Sequence, residues 1–182
     1  MSIVNLIVKI ITFFGSAFRA TVEQLACRGR RLIVEDVSYF SPGKLCGHVA
    51  HEMPRTKREA RVLCVRPFFV NLILGLIILA PASFSLFFLE NYKITIFILY
   101  WIGISLWTNL FPSHIDAHVY QSYAQASHMR GSKFMSSLFG FGAKIESTGV
   151  TLLTSIAASF VLAQITRLIL PLFYDLVQNS GV

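Results

Sequence analysis

The stretch that decides how this chain is read runs from Ile94 to His118: ITIFILYWIGISLWTNLFPSHIDAH. It carries no charge until its end, where it delivers one acid, Asp116, between two imidazoles, His114 and His118. An ionisable group at the mouth of a lipid-compatible segment is a functional-site hypothesis by default. What surrounds Asp116 then depends on the rest of the sequence.

Outward from that stretch the chain stays apolar. Its 182 residues are 54% hydrophobic and 14% charged, with a mean hydropathy of +0.63. This is too apolar for a water-soluble domain of that size and too long for one anchor. The sequence predicts a single membrane domain over residues 1–182: an all-α, multi-pass integral membrane protein with about four transmembrane helices, a small β-hairpin and an amphipathic helix at the cytoplasmic face. The expected spans cover about 2–26, 67–89, 94–113 and 147–174, runs that approach or exceed the roughly 20 apolar residues needed to cross the hydrocarbon core. The hairpin is expected at about 32–52, and interfacial segments at 54–66 and 119–146.

The first run is the least regular, because Lys9 sits inside it. A tilted span, an interfacial helix and a signal peptide are all compatible with its length. A signal peptide carries its charge ahead of the apolar run rather than within it, so the run is read as a retained first span whose lysine faces protein or snorkels.

The net charge is +7, and its placement matters more than its size. Ten Lys and Arg residues fall between Arg19 and Arg66, and Arg130, Lys133 and Lys144 follow the third apolar run, while the 90–93 turn holds one acid and one base. Alternate loops are basic, which puts residues 19–66 and 112–148 on the cytoplasmic side. Anionic lipid headgroups are then the expected counter-charge, and no nucleic acid is expected as a partner. Cys27, Cys46 and Cys64 show no CxxC spacing and suggest neither a disulfide framework nor a cysteine zinc cage.

Local signals fill in the connections. Arg19 and Glu23 stand four apart, on one face of a helix. LIVEDVSYF is β-branched and aromatic, Ser41-Pro42-Gly43-Lys44 suits a type II turn, and the return strand brings His48, His51 and Glu52. Pro54 can open a basic amphipathic helix lying in the headgroup plane. Asn71, inside an apolar run, reads as an interhelical hydrogen-bonding residue or as part of a site.

Two kinds of chemistry follow. His48, His51, His114, Asp116 and His118 form a candidate zinc set: if residues 114–118 are helical both imidazoles share a face and Asp116 points away, whereas in an extended segment all three align. Nucleophilic readings are weaker. Gly103-Ile-Ser105-Leu106 lacks the last glycine of a GxSG motif, and Tyr174-Asp175 has no partnering GxGD, so Ser105 reads as a packing hydroxyl.

Ala26-Cys27-Arg28, Gly47-His-Val-Ala-His51-Glu52-Met-Pro54, Pro67-Phe-Phe-Val-Asn71, Trp101-Ile-Gly103-Ile-Ser105, Phe111-Pro-Ser113 and Asp116-Ala117 occur here in that order. Together they resemble a family of small prokaryotic membrane proteins related to site-2 zinc metalloproteases, over roughly residues 10–175. The resemblance implies a multi-pass protein of a prokaryotic plasma membrane. In that family an HELAH stretch ahead of Ala-Cys-Arg supplies two zinc-binding histidines and a glutamate base, and a Pro-Ser-x-x-Asp segment supplies the remaining acid. Here the HELAH positions read Arg19-Ala20-Thr21-Val22-Glu23, and Arg66 replaces the glycine before Pro67. Of the implied zinc ligands only Asp116 is kept. Arginine stays protonated and cannot bind zinc, and Ala20 cannot activate water.

The expectation is therefore a degenerate site made of Arg19, Ala20, Glu23, Asp116 and Asn71, in which Arg19 faces both acids and a guanidinium replaces the metal. No cofactor is expected, and the chain acts as a binding or adaptor subunit for another membrane protein. The alternative is a zinc metallohydrolase using the five-residue histidine and aspartate set; a purely structural subunit is a third option.

Overall fold

A computed structural model describes residues 3–39, 47–125, 130–148 and 150–179, and it is mostly helical with one two-stranded antiparallel sheet. Helix α1 (Ile3–Ile11) and helix α2 (Phe13–Gly29) are followed by strands β1 (Val34–Ser38) and β2 (His48–His51). Helices α3 (Lys57–Phe87), α4 (Ile94–Thr108), α5 (His114–Gln125), α6 (Arg130–Thr148) and α7 (Thr151–Asn179) complete the chain. The turn read at Ser41–Lys44 lies outside the described residues.

The first apolar run does not form one continuous helix. It breaks at Thr12, and the break is held by α4: Ser105 Oγ donates to the Thr12 carbonyl at 2.9 Å, and Asn109 Nδ2 donates to the same carbonyl at 3.2 Å. Ser105 also accepts the Gly15 backbone N–H at 2.7 Å. Such close approach requires glycine, because a Cβ on Gly15 would lie 1.9 Å from the Ser105 carbonyl oxygen. Ser105 thus satisfies the backbone of the break rather than reacting.

Helix α3 runs through both the expected interfacial helix over 54–66 and the expected span over 67–89. It is a single 31-residue helix, about 46 Å long at 1.5 Å per residue, so its basic first turns run straight into its apolar part. Thr56 and Glu59 start it with a reciprocal capping box. In the segment expected to be interfacial over 119–146, the described residues belong to two helices, α5 and α6. Their buried residues Ala117, Tyr120, Phe139 and Ala143 close one core with Ala60, Cys64 and Phe68 of α3.

Among the described residues, two helices are long and apolar enough to cross a membrane, Lys57–Phe87 and the Thr151–Pro171 part of α7. Helix α4, with 15 residues, is about 22 Å long and falls short of a straight crossing of roughly 30 Å. Its last turn ends inside the protein, where Asn109 is buried. The hairpin pairs Val34 with His51, Val37 with Val49 and Ser38 with His48, with an irregularity between Val34 and Asp36. Val49 and His51, two residues apart, share the face that is turned inward.

Candidate functional site

Asp116 is held by the start of its own helix. Ser113 Oγ donates to Asp116 Oδ2, the Asp116 backbone N–H returns a bond to Ser113 Oγ at 3.2 Å, and the Ser113 carbonyl accepts the Ala117 N–H at 2.9 Å. This Ser-x-x-Asp cap opens α5 and leaves Oδ1 facing the hairpin. There it meets His51, whose Nε2 lies 3.4 Å from Asp116 Oδ1 and 3.8 Å from Glu23 Oε1. The other ring nitrogen, Nδ1, is 2.8 Å from the Glu52 carbonyl oxygen, which orients the ring.

Glu23 is shared. Its Oε2 is 3.5 Å from Arg19 Nη2, one helical turn earlier on α2, and both side chains are buried. The second acid on Arg19 is not Asp116. Arg19 Nη1 lies 3.5 Å from Glu146 Oε1 of α6, and Glu146 in turn is bound by Lys9 of α1, which also donates to Asn109 Oδ1 at 3.1 Å. Six ionisable side chains from five elements therefore form one buried chain: Lys9, Glu146, Arg19, Glu23, His51 and Asp116.

The hydrogen bond to Asp116 is the main cause that raises His51, to about 9; burial opposes it, and the bond to the Glu52 carbonyl adds to the rise. Burial pushes Asp116 upward, but the hydrogen bonds from His51 and Ser113 outweigh it and hold the carboxyl below its ordinary value. Three basic groups, Lys9, Arg19 and His51, thus alternate with three acidic ones, Glu146, Glu23 and Asp116. Burial raises Glu23 to about 7 against the opposing pull of Arg19, so its carboxyl is only partly ionised near neutral pH.

Several expectations change. Asp116 pairs directly with His51 rather than with Arg19, because the hairpin inserts an imidazole between α2 and α5. The five-residue zinc set is not assembled: His114 and His118 are exposed on another face of α5, and the side chain of His48 lies outside the described residues. Asn71 is fully buried and donates to the Asn109 carbonyl at 3.0 Å, tying α3 to the end of α4. Ala20, also fully buried, presents no functional group.

Lys9 and Glu146 were missing from the expected site. A lysine inside an apolar run needs an acid, which is a signal for some partner, yet nothing in the local sequence selects Glu146. No protein-family model, curated protein or solved structure matches the chain. The chemistry of the site therefore has to be argued from its own atoms.

The same atoms fit a metal in shape. Glu23, His51 and Asp116 each offer one atom, all within 4.8 Å of one another, and tetrahedral zinc ligands stand about 3.4 Å apart. The second atom of each is already engaged, by Arg19, the Glu52 carbonyl and Ser113 respectively, the usual outer support of a metal ligand. Charge argues the other way. A divalent ion on neutral His51 would leave the buried group with one excess positive charge, beside a guanidinium 3.5 Å from one of the ligands.

The site opens through a cavity of about 210 Å³ between β2 and α5. His51 and Asp116 form its polar end, and exposed Met53 and Ile115 stand at its apolar rim.

Proposed function

We propose that this chain is a multi-pass membrane protein of the site-2-protease type that has lost catalysis. It binds a segment of another membrane protein in the cleft between β2 and α5, as an adaptor or subunit. The observation that carries this reading is the buried position of Arg19 against Glu23. At the place where the resemblance implies the first zinc-binding histidine, a cation is already fixed by protein acids. Ala20, where the resemblance implies the catalytic glutamate, leaves no base. The apolar rim of the cleft suits a hydrophobic segment, and its polar end can take backbone groups.

A membrane setting is supported by the outer surfaces of α3 and α7, where Ile77, Leu153 and Leu168 are 63–70% exposed. Four spans remain part of the proposal, with the broken first run and the short α4 as the two further crossings. The exposed arginines Arg28, Arg31, Arg58, Arg61 and Arg66 then face anionic headgroups on the cytoplasmic side.

Rebuilding the lost motif tests this reading. The Arg19→His, Ala20→Glu, Glu23→His variant should bind zinc together with Asp116, while the wild type binds none. If the rebuilt chain, folded as judged by its helical circular dichroism, binds no more zinc than the wild type, the kinship fails.

A second reading is favoured by the convergence of Glu23 Oε1, His51 Nε2 and Asp116 Oδ1. In that reading these three hold a divalent ion, which supplies Lewis-acid activation of water for hydrolysis. The ligand set differs from the histidine-rich one expected at first, since His114 and His118 take no part.

A further inference from the structure

Helix α5 turns a second functional face toward α6. His114, His118 and Gln121 follow one another by four and three residues along one stripe of α5, and Ser137, Gly140 and Lys144 make the matching stripe on α6. Small residues at the seam, Ala117 and Ala143, keep the helices close at its floor. Above them the stripes enclose an open cavity of about 360 Å³.

The chemistry of this cavity is one-sided. Its lining offers two imidazoles, an amide, a hydroxyl and an ammonium, and no carboxylate. His114 and His118 are exposed, and neither enters an ion pair among the described residues. Two histidines four apart on a helix can chelate a transition metal, but here they share the cavity with Lys144, which opposes a cation and favours an anion. Five polar side chains from two helices line it, more donors than a carboxylate needs and suited to the several acceptor oxygens of a phosphate. The rim adds Phe141, 66% exposed.

We propose that this cavity binds the phosphate of a phosphomonoester, carried either by an anionic lipid headgroup or by a soluble phosphate compound. The imidazoles, Gln121 and Ser137 donate to its oxygens and Lys144 balances its charge. This site is separate from the Arg19 to Asp116 chain, so it stands whether that chain binds a metal or not.

The test uses the full chain in phosphatidylcholine nanodiscs doped with phosphatidic acid or, as a control without a terminal phosphate, phosphatidylserine. Retained lipid is counted by native mass spectrometry, and binding of inorganic phosphate is followed by phosphorus NMR. Phosphatidic acid or inorganic phosphate should bind in preference to phosphatidylserine. The combined His114→Gln, His118→Gln, Lys144→Gln variant should lose about tenfold in that binding, as removal of charge-assisted hydrogen bonds requires. Ser137→Phe, which fills the cavity from α6, should lose it too and guards against a misfolded combined variant. If inorganic phosphate displaces the lipid, the natural ligand is soluble; if it does not, the ligand is a headgroup. Binding that is untouched by both variants, whichever ligand is used, overturns the proposal, as does zinc binding at the histidine pair in place of phosphate.

Discussion

Asp116 and His118 lie two residues apart on α5 and belong to different sites. Asp116 is turned into a buried chain of alternating charges, whereas His118 lines an open cavity of donors. Two residues along a helix amount to about 200° of rotation, so neighbours in sequence face opposite partners. One helix can therefore serve a balanced interior network with one side and a surface pocket with the other. The two sides should respond differently to the same kind of change.

The largest effect is expected in the buried chain. Arg19→Met leaves Glu23 with only the longer contact to His51 and Glu146 with only Lys9, and should cost about 3–5 kcal/mol of stability, the usual result of breaking a buried pair from one side. Denaturant unfolding of the detergent-solubilised protein measures it. A loss no larger than that of a surface substitution would mean that Arg19 is not structural.

His51 should give a smaller, pH-dependent effect. Its folded value of about 9 stands above its ordinary 6.5, so the proton it holds stabilises the fold fully below about 6.5 and progressively less as pH rises through about 9. Wild-type melting temperature should fall across that interval relative to His51→Gln. A metal at the same place predicts the reverse, since protons compete with the ion and stability then rises with pH. On the other side of α5, His114→Ala and His118→Ala should each change stability by less than about 0.5 kcal/mol. A larger loss in thermal unfolding would erase the distinction between the two faces.

How much of this was legible depended on distance along the chain. The apolar runs of α3 and α7 and the Arg19–Glu23 spacing are local patterns, and local periodicity reads them. The Ser113–Asp116 cap and the Thr56–Glu59 cap are local too, although the start of α3 was assigned to Pro54 instead of Thr56. Residues 119–146 read only as a polar, glycine-punctuated interfacial segment, because Gly and Ser are poor helix formers. There the packing of Tyr120 and Phe139 on α3 overrides propensity. The break at Thr12 was hidden because it is satisfied by Ser105 and Asn109, more than 90 residues away. The pairing of His51 with Asp116 and of Glu146 with Arg19 and Lys9 is equally non-local. No spacing rule joins a hairpin histidine to a distant helix start.

Arg19, Glu23 and Asp116, grouped in the sequence by the resemblance alone, lie along one buried chain of ionisable side chains. His51, which the resemblance carried only within the Gly47–Pro54 stretch and the zinc alternative grouped with Asp116, is the residue that stands between the two acids. The pairing of three basic with three acidic side chains is thus a property of the fold rather than of any one motif.

The central claim of the proposed function is that these pairings, with Arg19 fixed against Glu23, take the place of a metal ion. Elemental analysis of the full chain, purified in detergent without chelators and after exposure to zinc, tests it most directly. The account predicts metal far below one ion per chain and no change on Asp116→Asn. One zinc per chain, lost in Asp116→Asn and in His51→Gln, would contradict it.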